Sequence, residues 1–153
     1  MSELQTIIDN LKHIDALVDN ALEREVADVV EDAIIESARR NVYEAYTPAQ
    51  YFLDSRRDGG GGILDRTSMN VDVKNNTLTV QDVARFNNSM HWQHLWGGNR
   101  PNENLSDAIA AGSKRFNMHK AGARPFHEAA EKEVIQSGAV DDALRRGLAR
   151  QGL

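Results

Sequence analysis

An apolar stripe at helical spacing runs through the first third of the chain. Apolar residues recur every three or four positions from Leu4 to Ile34, which is the pattern of a helix with one buried face. The pattern continues to about Tyr46, and Pro48 ends it because the residue before a proline avoids the helical conformation. The sequence therefore predicts a helical region over about residues 3–46, and this region limits which folds the chain can adopt.

An unbroken helix over this region would be about 60 Å long, at about 1.5 Å per residue. That length exceeds the width of a small domain, so we expect a break at Asp9-Asn10 or Asp19-Asn20 and a long helix from about residue 20. A small sheet can cover only part of the stripe. The remainder is therefore expected to pack on another helix or on another subunit.

Length, cysteine content and charge narrow the functional class. A chain of 153 residues is expected to form a single domain over residues 1–153. Because cysteine is absent, disulfides, cysteine-bound zinc, iron–sulfur clusters and thiol nucleophiles are excluded. The net charge is −5, and the first 48 residues carry 11 acidic residues against 4 basic ones. A dedicated duplex-DNA-binding protein normally has a basic excess, and no apolar run predicts a membrane helix, so neither class is expected.

Alternating apolar residues on either side of Asn75-Asn76 predict a β-hairpin over about residues 69–82. Asparagine tolerates the positive φ that a two-residue hairpin turn requires. A turn at these two residues places the apolar side chains of both strands on one face, so the turn and the alternation predict the same register. The predicted pairs are Val71 with Val80 and Val73 with Leu78, with Asp72 and Thr79 on the opposite face.

Helix signals return in the last third of the chain. Asn104 is a candidate cap for a short helix over about Leu105–Ala111. Pro125 fits the first turn of a later helix, and Gly138 separates that helix from a last one, so C-terminal helices are expected over about residues 124–150. A long helical region, one small antiparallel sheet and short C-terminal helices predict an α+β fold. The expected loops cover about residues 53–62 and 87–104.

No arrangement of residues predicts an active site. His91 and His94 have a spacing that can share a helix face, but the chain has neither HExxH nor a clustered carboxylate partner for zinc. The nucleotide-binding patterns GxxxxGK[ST] and GxGxxG and the nucleophile pattern GxSxG are also absent. We therefore expect that the protein is not an enzyme and that it uses no metal and no cofactor.

Two segments are candidate contact sites. Arg56 and Arg57 lie between Tyr51 and four consecutive glycines, which predict a mobile loop because glycine loses the most backbone entropy on ordering. Basic and aromatic side chains together can bind single-stranded nucleic acid, so a nucleic-acid-binding accessory protein using Arg56-Arg57 is the alternative function. The second segment contains both tryptophans and predicts an anchored surface loop. The candidate interaction residues are Tyr51, Arg56, Arg57, Gly59, Gly60, Gly61, Gly62, His91, Trp92 and Trp96.

Several strings resemble, in the same order, a pattern of phage virion proteins. VYEAYTPAQY at residues 42–51, then Arg56-Arg57 and GGILD at 61–65, resemble "YxxYxPxxYxRR" followed by "GGLLD". ARPFHE at 123–128 resembles the start of a late helix in those proteins, and ALRRGLARQGL at 143–153 resembles their C-terminus. The chain is thus similar to the small head–tail joining or tail-completion (neck) proteins of long-tailed bacteriophages, known mainly from prophages of Gram-positive bacteria.

The resemblance covers about residues 25–86 and 120–153. It departs from the pattern at residues 52–55, which separate Tyr51 from the arginine pair, and at residues 91–96, which have no counterpart. It implies a structural protein that forms a ring, hexameric in the virion, between the neck and the tail tube. The implied partners are further copies of the chain and the neck, connector and tail-tube proteins, while DNA passes through the lumen without sequence-specific binding. The implied location is the head–tail junction of the virion, and the host cytoplasm during assembly; no catalytic residue carries over.

Overall fold

The N-terminal third of the protein is one long helix. The computed structural model describes residues 3–44, 62–84, 105–110 and 125–153. Helical structure runs through the whole first range without a gap, and two π-helical segments interrupt its α-helical hydrogen-bonding pattern. The successive parts are α1 (Glu3–Ala21), the first π segment (Leu22–Val26), α2 (Ala27–Ala38) and the second π segment (Arg39–Glu44).

The predicted break at Asp9-Asn10 or Asp19-Asn20 is wrong. Both positions lie inside α1, and the backbone stays helical through Ala21, at φ −69° and ψ −36°, to Ala27, at φ −57° and ψ −45°. The helix changes its hydrogen-bond register in the first π segment instead of ending. One physical reason is that Asp19 does not act as a cap; its carboxylate accepts a hydrogen bond from the distant backbone N–H of Asn76.

The predicted hairpin is confirmed with its register. Strands β1 (Met69–Lys74) and β2 (Thr77–Asp82) pair antiparallel and form the two-stranded sheet of the described residues. Asn75 and Asn76 have φ values of 52° and 58°, so both turn residues adopt the left-handed conformation that the turn requires. Alternate residues of each strand are half-buried, so one face of the hairpin turns inward. The observed pairs include Val71 with Val80, Val73 with Leu78, and Asp72 with Thr79.

Within the described residues, three helices follow the hairpin: α3 (Leu105–Ala110), α4 (Phe126–Ser137) and α5 (Ala139–Arg150). The predicted short helix and the two C-terminal helices are thus confirmed, whereas the candidate cap Asn104 lies outside the described residues. Gly138 stands between α4 and α5 at φ +68°, a conformation that glycine adopts without steric cost. The α+β prediction is confirmed.

The core lies where α2, α4 and the segment leading into the hairpin meet. Phe126 and Ile63 are its largest fully buried apolar side chains. A buried hydrogen bond of 2.7 Å, from the Ser37 hydroxyl to the carbonyl of Phe126, holds the start of α4 against α2. The buried cluster comprises Ile34, Ala38, Val42, Ile63, Ala84, Phe126 and Ala130.

Candidate functional site

The structure describes one of the predicted interaction residues, Gly62. Its backbone is buried, and its carbonyl accepts a hydrogen bond of 3.0 Å from the amide of Asp65. This end of the glycine run is therefore a packed turn that leads into the core at Ile63. The other predicted interaction residues lie outside the described residues: Tyr51, Arg56, Arg57, Gly59, Gly60, Gly61, His91, Trp92 and Trp96.

The largest group of exposed apolar side chains among the described residues lies on α1. Leu4, Ile7, Leu11 and Ile14 are 66%, 56%, 57% and 43% exposed, and Ile8 beside them is 36% exposed. Single exposed apolar side chains are common on protein surfaces, but a continuous row of them usually marks a contact site. The remainder of the predicted stripe is thus left open here, and we call these five residues the α1 seam.

The uncovered row ends where α5 crosses the helix. Ala21 is fully buried against Gly147, and a Cβ at Gly147 would come within 2.7 Å of the Ala21 Cβ. Glycine at this position therefore permits the close crossing of α5 over α1. The Gln151 side chain donates a hydrogen bond of 3.0 Å to the carbonyl of Leu17, and Arg150 forms an ion pair of 2.9 Å with Glu25.

Two carboxylates of α1 bind the tip of the hairpin. Asp19 accepts a hydrogen bond of 3.0 Å from the backbone N–H of Asn76, and Asp15 accepts one of 3.2 Å from the side-chain amide of the same residue. These contacts join residues 57 and 61 positions apart in the chain. They fix the direction in which α1 leaves the body of the protein.

A second group of acidic residues surrounds Arg66, which lies in the 3-10 turn Arg66–Ser68 before β1. Its guanidinium forms ion pairs with Asp28 at 2.8 Å, with Glu31 at 3.4 Å, and with Asp32. Burial raises the pKa of Glu31, Arg66 opposes that shift, and Asp28 and Asp32 add to it. Part of the N-terminal acidic excess is therefore used to hold the hairpin against α2.

Asp82, Ser106 and His127 form a polar group at the junction of β2, α3 and α4. The Ser106 hydroxyl lies 2.7 Å from His127 Nε2 and also hydrogen-bonds to the Asp82 carboxylate. The same carboxylate accepts a hydrogen bond of 2.8 Å from the backbone N–H of Ala84. Burial raises the pKa of Asp82 to about 6 and lowers that of His127. The nearby charge of Asp107 adds to the rise in the pKa of Asp82 and partly offsets the fall in the pKa of His127.

This polar group differs from a Ser-His-Asp triad. In a triad the histidine lies between the serine and the acid, so that it can take the proton from the serine. Here Ser106 lies in the middle and is fully buried, so the group joins three elements and has no nucleophile open to a substrate. Sequence reasoning missed it, because residues so far apart and without common spacing carry no motif that could have revealed the contact.

One of the three comparisons with known proteins identifies a family. The family model YomN matches residues 2–150, which is nearly the whole chain. The chain belongs to the YomN family. Searches of the curated proteins and of the solved structures found no match.

In this member of the YomN family, the described residues form a contact surface more clearly than a catalytic or metal-binding site. Within the four described ranges, no three histidine, aspartate or glutamate side chains are grouped so that they could hold a metal ion. No helix in the part of the chain that the structure describes is both long and apolar enough to cross a bilayer. The α1 seam, with its five exposed apolar side chains, is the candidate functional site among the described residues.

Proposed function

We propose that this member of the YomN family is a structural protein of the head–tail interface of a long-tailed bacteriophage. In this role the chain is a tail-completion or connector subunit in a ring between the neck and the tail tube. The observation that carries the proposal is the α1 seam, an open apolar row on a subunit whose own core is formed elsewhere. A subunit built for assembly keeps such a surface for its neighbours.

Two further features support the proposal. The first is the ordered resemblance to head–tail joining proteins, part of which falls on elements that the structure describes: ARPFHE spans the start of α4, and ALRRGLARQGL spans most of α5. The second is the charge distribution. An acidic N-terminal third suits a subunit beside a DNA channel, since like charge keeps the DNA from adhering to the wall.

The proposal is tested on intact particles from the source. Immunogold electron microscopy with an antibody to this chain should label the head–tail junction and leave the capsid and the distal tail unlabelled. An antibody to the major capsid protein, applied to the same preparation, is the control for accessibility. Purified particles that lack the chain, or label spread over the tail, contradict the proposal.

The alternative function remains a nucleic-acid-binding accessory protein that uses Arg56-Arg57. A mobility assay with single-stranded DNA tests it directly. Binding that weakens steeply with salt and is lost in the Arg56→Ala, Arg57→Ala double variant favours this alternative. A double Arg145→Ala, Arg146→Ala variant is a matched control, since it removes the same charge from the exposed face of α5.

A further inference from the structure

The α1 seam has the spacing of a helix that packs against another helix. Leu4, Ile7, Leu11 and Ile14 are separated by three, four and three residues, which is the alternation of positions a and d in a coiled-coil heptad. Ile8 widens the row on one side. A row this regular along one line of the helix fits a second straight helix better than an irregular surface.

The rest of the protein covers α1 beyond the C-terminal end of the seam. The next two heptad positions are Val18, which is half-buried, and Ala21, which is fully buried at the crossing with α5. A partner helix that lies on the seam and runs parallel to α1 would therefore meet α5 near residues 17–21. If the partner helix runs antiparallel, the rest of the partner lies beyond the N-terminus of α1, away from α5.

The seam is self-complementary in the antiparallel direction. A two-fold axis that crosses the seam at the level of residue 9 places Leu4 against Ile14 of a second copy and Ile7 against Leu11 of that copy. Each pair then joins one leucine to one isoleucine.

Charge allows the same contact. At about 100° per residue, Asp9 and Lys12 lie about 180° and about 120° from the line through Leu4, Ile7, Leu11 and Ile14, so both face away from the second copy. Glu3 and Asp15 flank that line on opposite sides at about 60°. The two-fold axis sets each flank against the same flank of the other copy, where the two equivalent carboxylates are about 18 Å apart along the helix, so like charges do not lie directly opposite each other. Antiparallel helix dipoles also attract each other.

We propose that the partner of the α1 seam is a second copy of this chain, which docks antiparallel to give a two-fold dimer. The overlap of residues 3–14 is about 18 Å long and about 10 Å wide. The contact area on each copy is therefore smaller than the roughly 800 Å² per partner of a stable complex. The dimer is expected to form at high chain concentration and to dissociate on dilution. It covers the seam of the free protein until another partner displaces it.

This inference does not rest on the proposed function. A two-fold contact uses the same patch on both copies and closes on itself, so it does not by itself build a ring of more than two subunits. A chain that dimerises through α1 but is absent from phage particles would retain the inference and overturn the proposed function. A chain at the head–tail junction that stays monomeric when free would do the reverse.

The first test measures the mass of the purified full chain by sedimentation equilibrium between about 1 and about 100 µM. The average mass should rise toward twice the 17.0 kDa of the chain. Leu11→Glu places a charge in the seam and should abolish the rise. His13→Glu introduces the same residue at an exposed position outside the seam and should leave the rise unchanged. Circular dichroism of both variants checks that each stays folded.

The second test determines the direction of the two helices. Since the chain has no cysteine, a Leu4→Cys chain and an Ile14→Cys chain can be mixed and oxidised. The antiparallel dimer predicts a cross-link between the two different chains and little between copies of the Leu4→Cys chain. Cross-linking of the Leu4→Cys chain to itself overturns the antiparallel arrangement. A wild-type chain that remains a monomer throughout, or associates beyond a dimer, overturns the proposal.

Discussion

Asp82 shows how the environment of one residue affects the stability of the whole protein. Its side chain is buried beside Ser106 at the end of β2, and burial raises its pKa to about 6. In the unfolded chain the pKa returns to its ordinary value near 4. Between these values the folded state binds more protons than the unfolded state. The stabilising contribution of Asp82 is therefore greatest at low pH and declines as the pH rises through about 6.

We expect Asp82→Asn to stabilise the protein more at pH 8 than at pH 4, because the amide cannot ionise in its buried site. The free energy of unfolding, measured in urea at both pH values, checks this expectation. A shift of about two pKa units corresponds to a difference of about 3 kcal/mol at most. Asp72→Asn, at an exposed position of β1, is the control. An equal effect of Asp82→Asn at both pH values contradicts the assignment.

His127 acts in the opposite direction over the acidic range. Burial lowers its pKa, so below the ordinary value of about 6.5 the unfolded state binds more protons than the folded state. Its contribution is present at neutral pH and is lost as the pH falls through the folded-state pKa. His127→Gln should therefore lessen the acid sensitivity of the protein. Unfolding in urea at pH 5 and pH 7.5 measures this change, and unaltered acid sensitivity would count against it.

At the scale of elements, the crossing of α1 and α5 depends on the absence of a side chain at Gly147. A Cβ there would lie 2.7 Å from the Ala21 Cβ and 2.8 Å from Glu25 Oε2. Glycine to alanine within an exposed helix normally stabilises by about 1 kcal/mol. At this site, we expect Gly147→Ala to destabilise by about 1–3 kcal/mol, because α5 has to move away from α1.

Thermal and urea unfolding of the Gly147→Ala variant measure this loss. Arg146→Ala, one residue earlier on the exposed face of the same helix, is the control and should change the free energy of unfolding by less than about 0.5 kcal/mol. A Gly147→Ala protein that is more stable than the wild type would mean that the two helices are not in close contact.

The ion pairs of Arg66 join the turn before the hairpin to α2, and salt should modulate their contribution. Arg66 is partly exposed, as are Asp28 and Asp32, so solvent weakens each pair. We expect Arg66→Gln to lower the free energy of unfolding by about 1 kcal/mol at low salt, and by less in about 1 M salt. Arg145→Gln, on the exposed face of α5, should show no salt-dependent loss. The expectation fails if the loss at Arg66 is independent of salt.

At the scale of the whole molecule, the protein consists of a packed body and a helix that extends from it. The exposed part of α1 precedes the contacts that Asp15, Asp19 and Ala21 make with the hairpin and α5. Deletion of residues 1–12 should therefore leave the unfolding temperature of the remainder within about 2 °C of the wild type at about 1 µM chain. Deletion of residues 1–21 removes those contacts and should lower it clearly. A large loss from the shorter deletion would mean that the exposed turns stabilise the body.

Local sequence determined the parts of this fold whose partners are close in the chain. The asparagine pair requires positive φ and the flanking residues alternate with period two, so turn and strands together determine the register of β1 with β2. Gly138 and the residues around it predict the boundary between α4 and α5 for the same reason. Each of these features depends on neighbours only a few residues away.

Tertiary contacts decided what the local pattern could not. The apolar stripe predicts one buried face along the whole helix, but the crossing of α5 at Gly147 determines that Ala21 is buried and Leu4 is exposed. Likewise, the local sequence predicts a helix break at Asp19, but in the structure its carboxylate accepts a hydrogen bond from Asn76, far along the chain, and the helix continues. The contact of Asp82, Ser106 and His127 has no local signature at all. Packing brings these residues together, and burial then shifts the pKa values of Asp82 and His127.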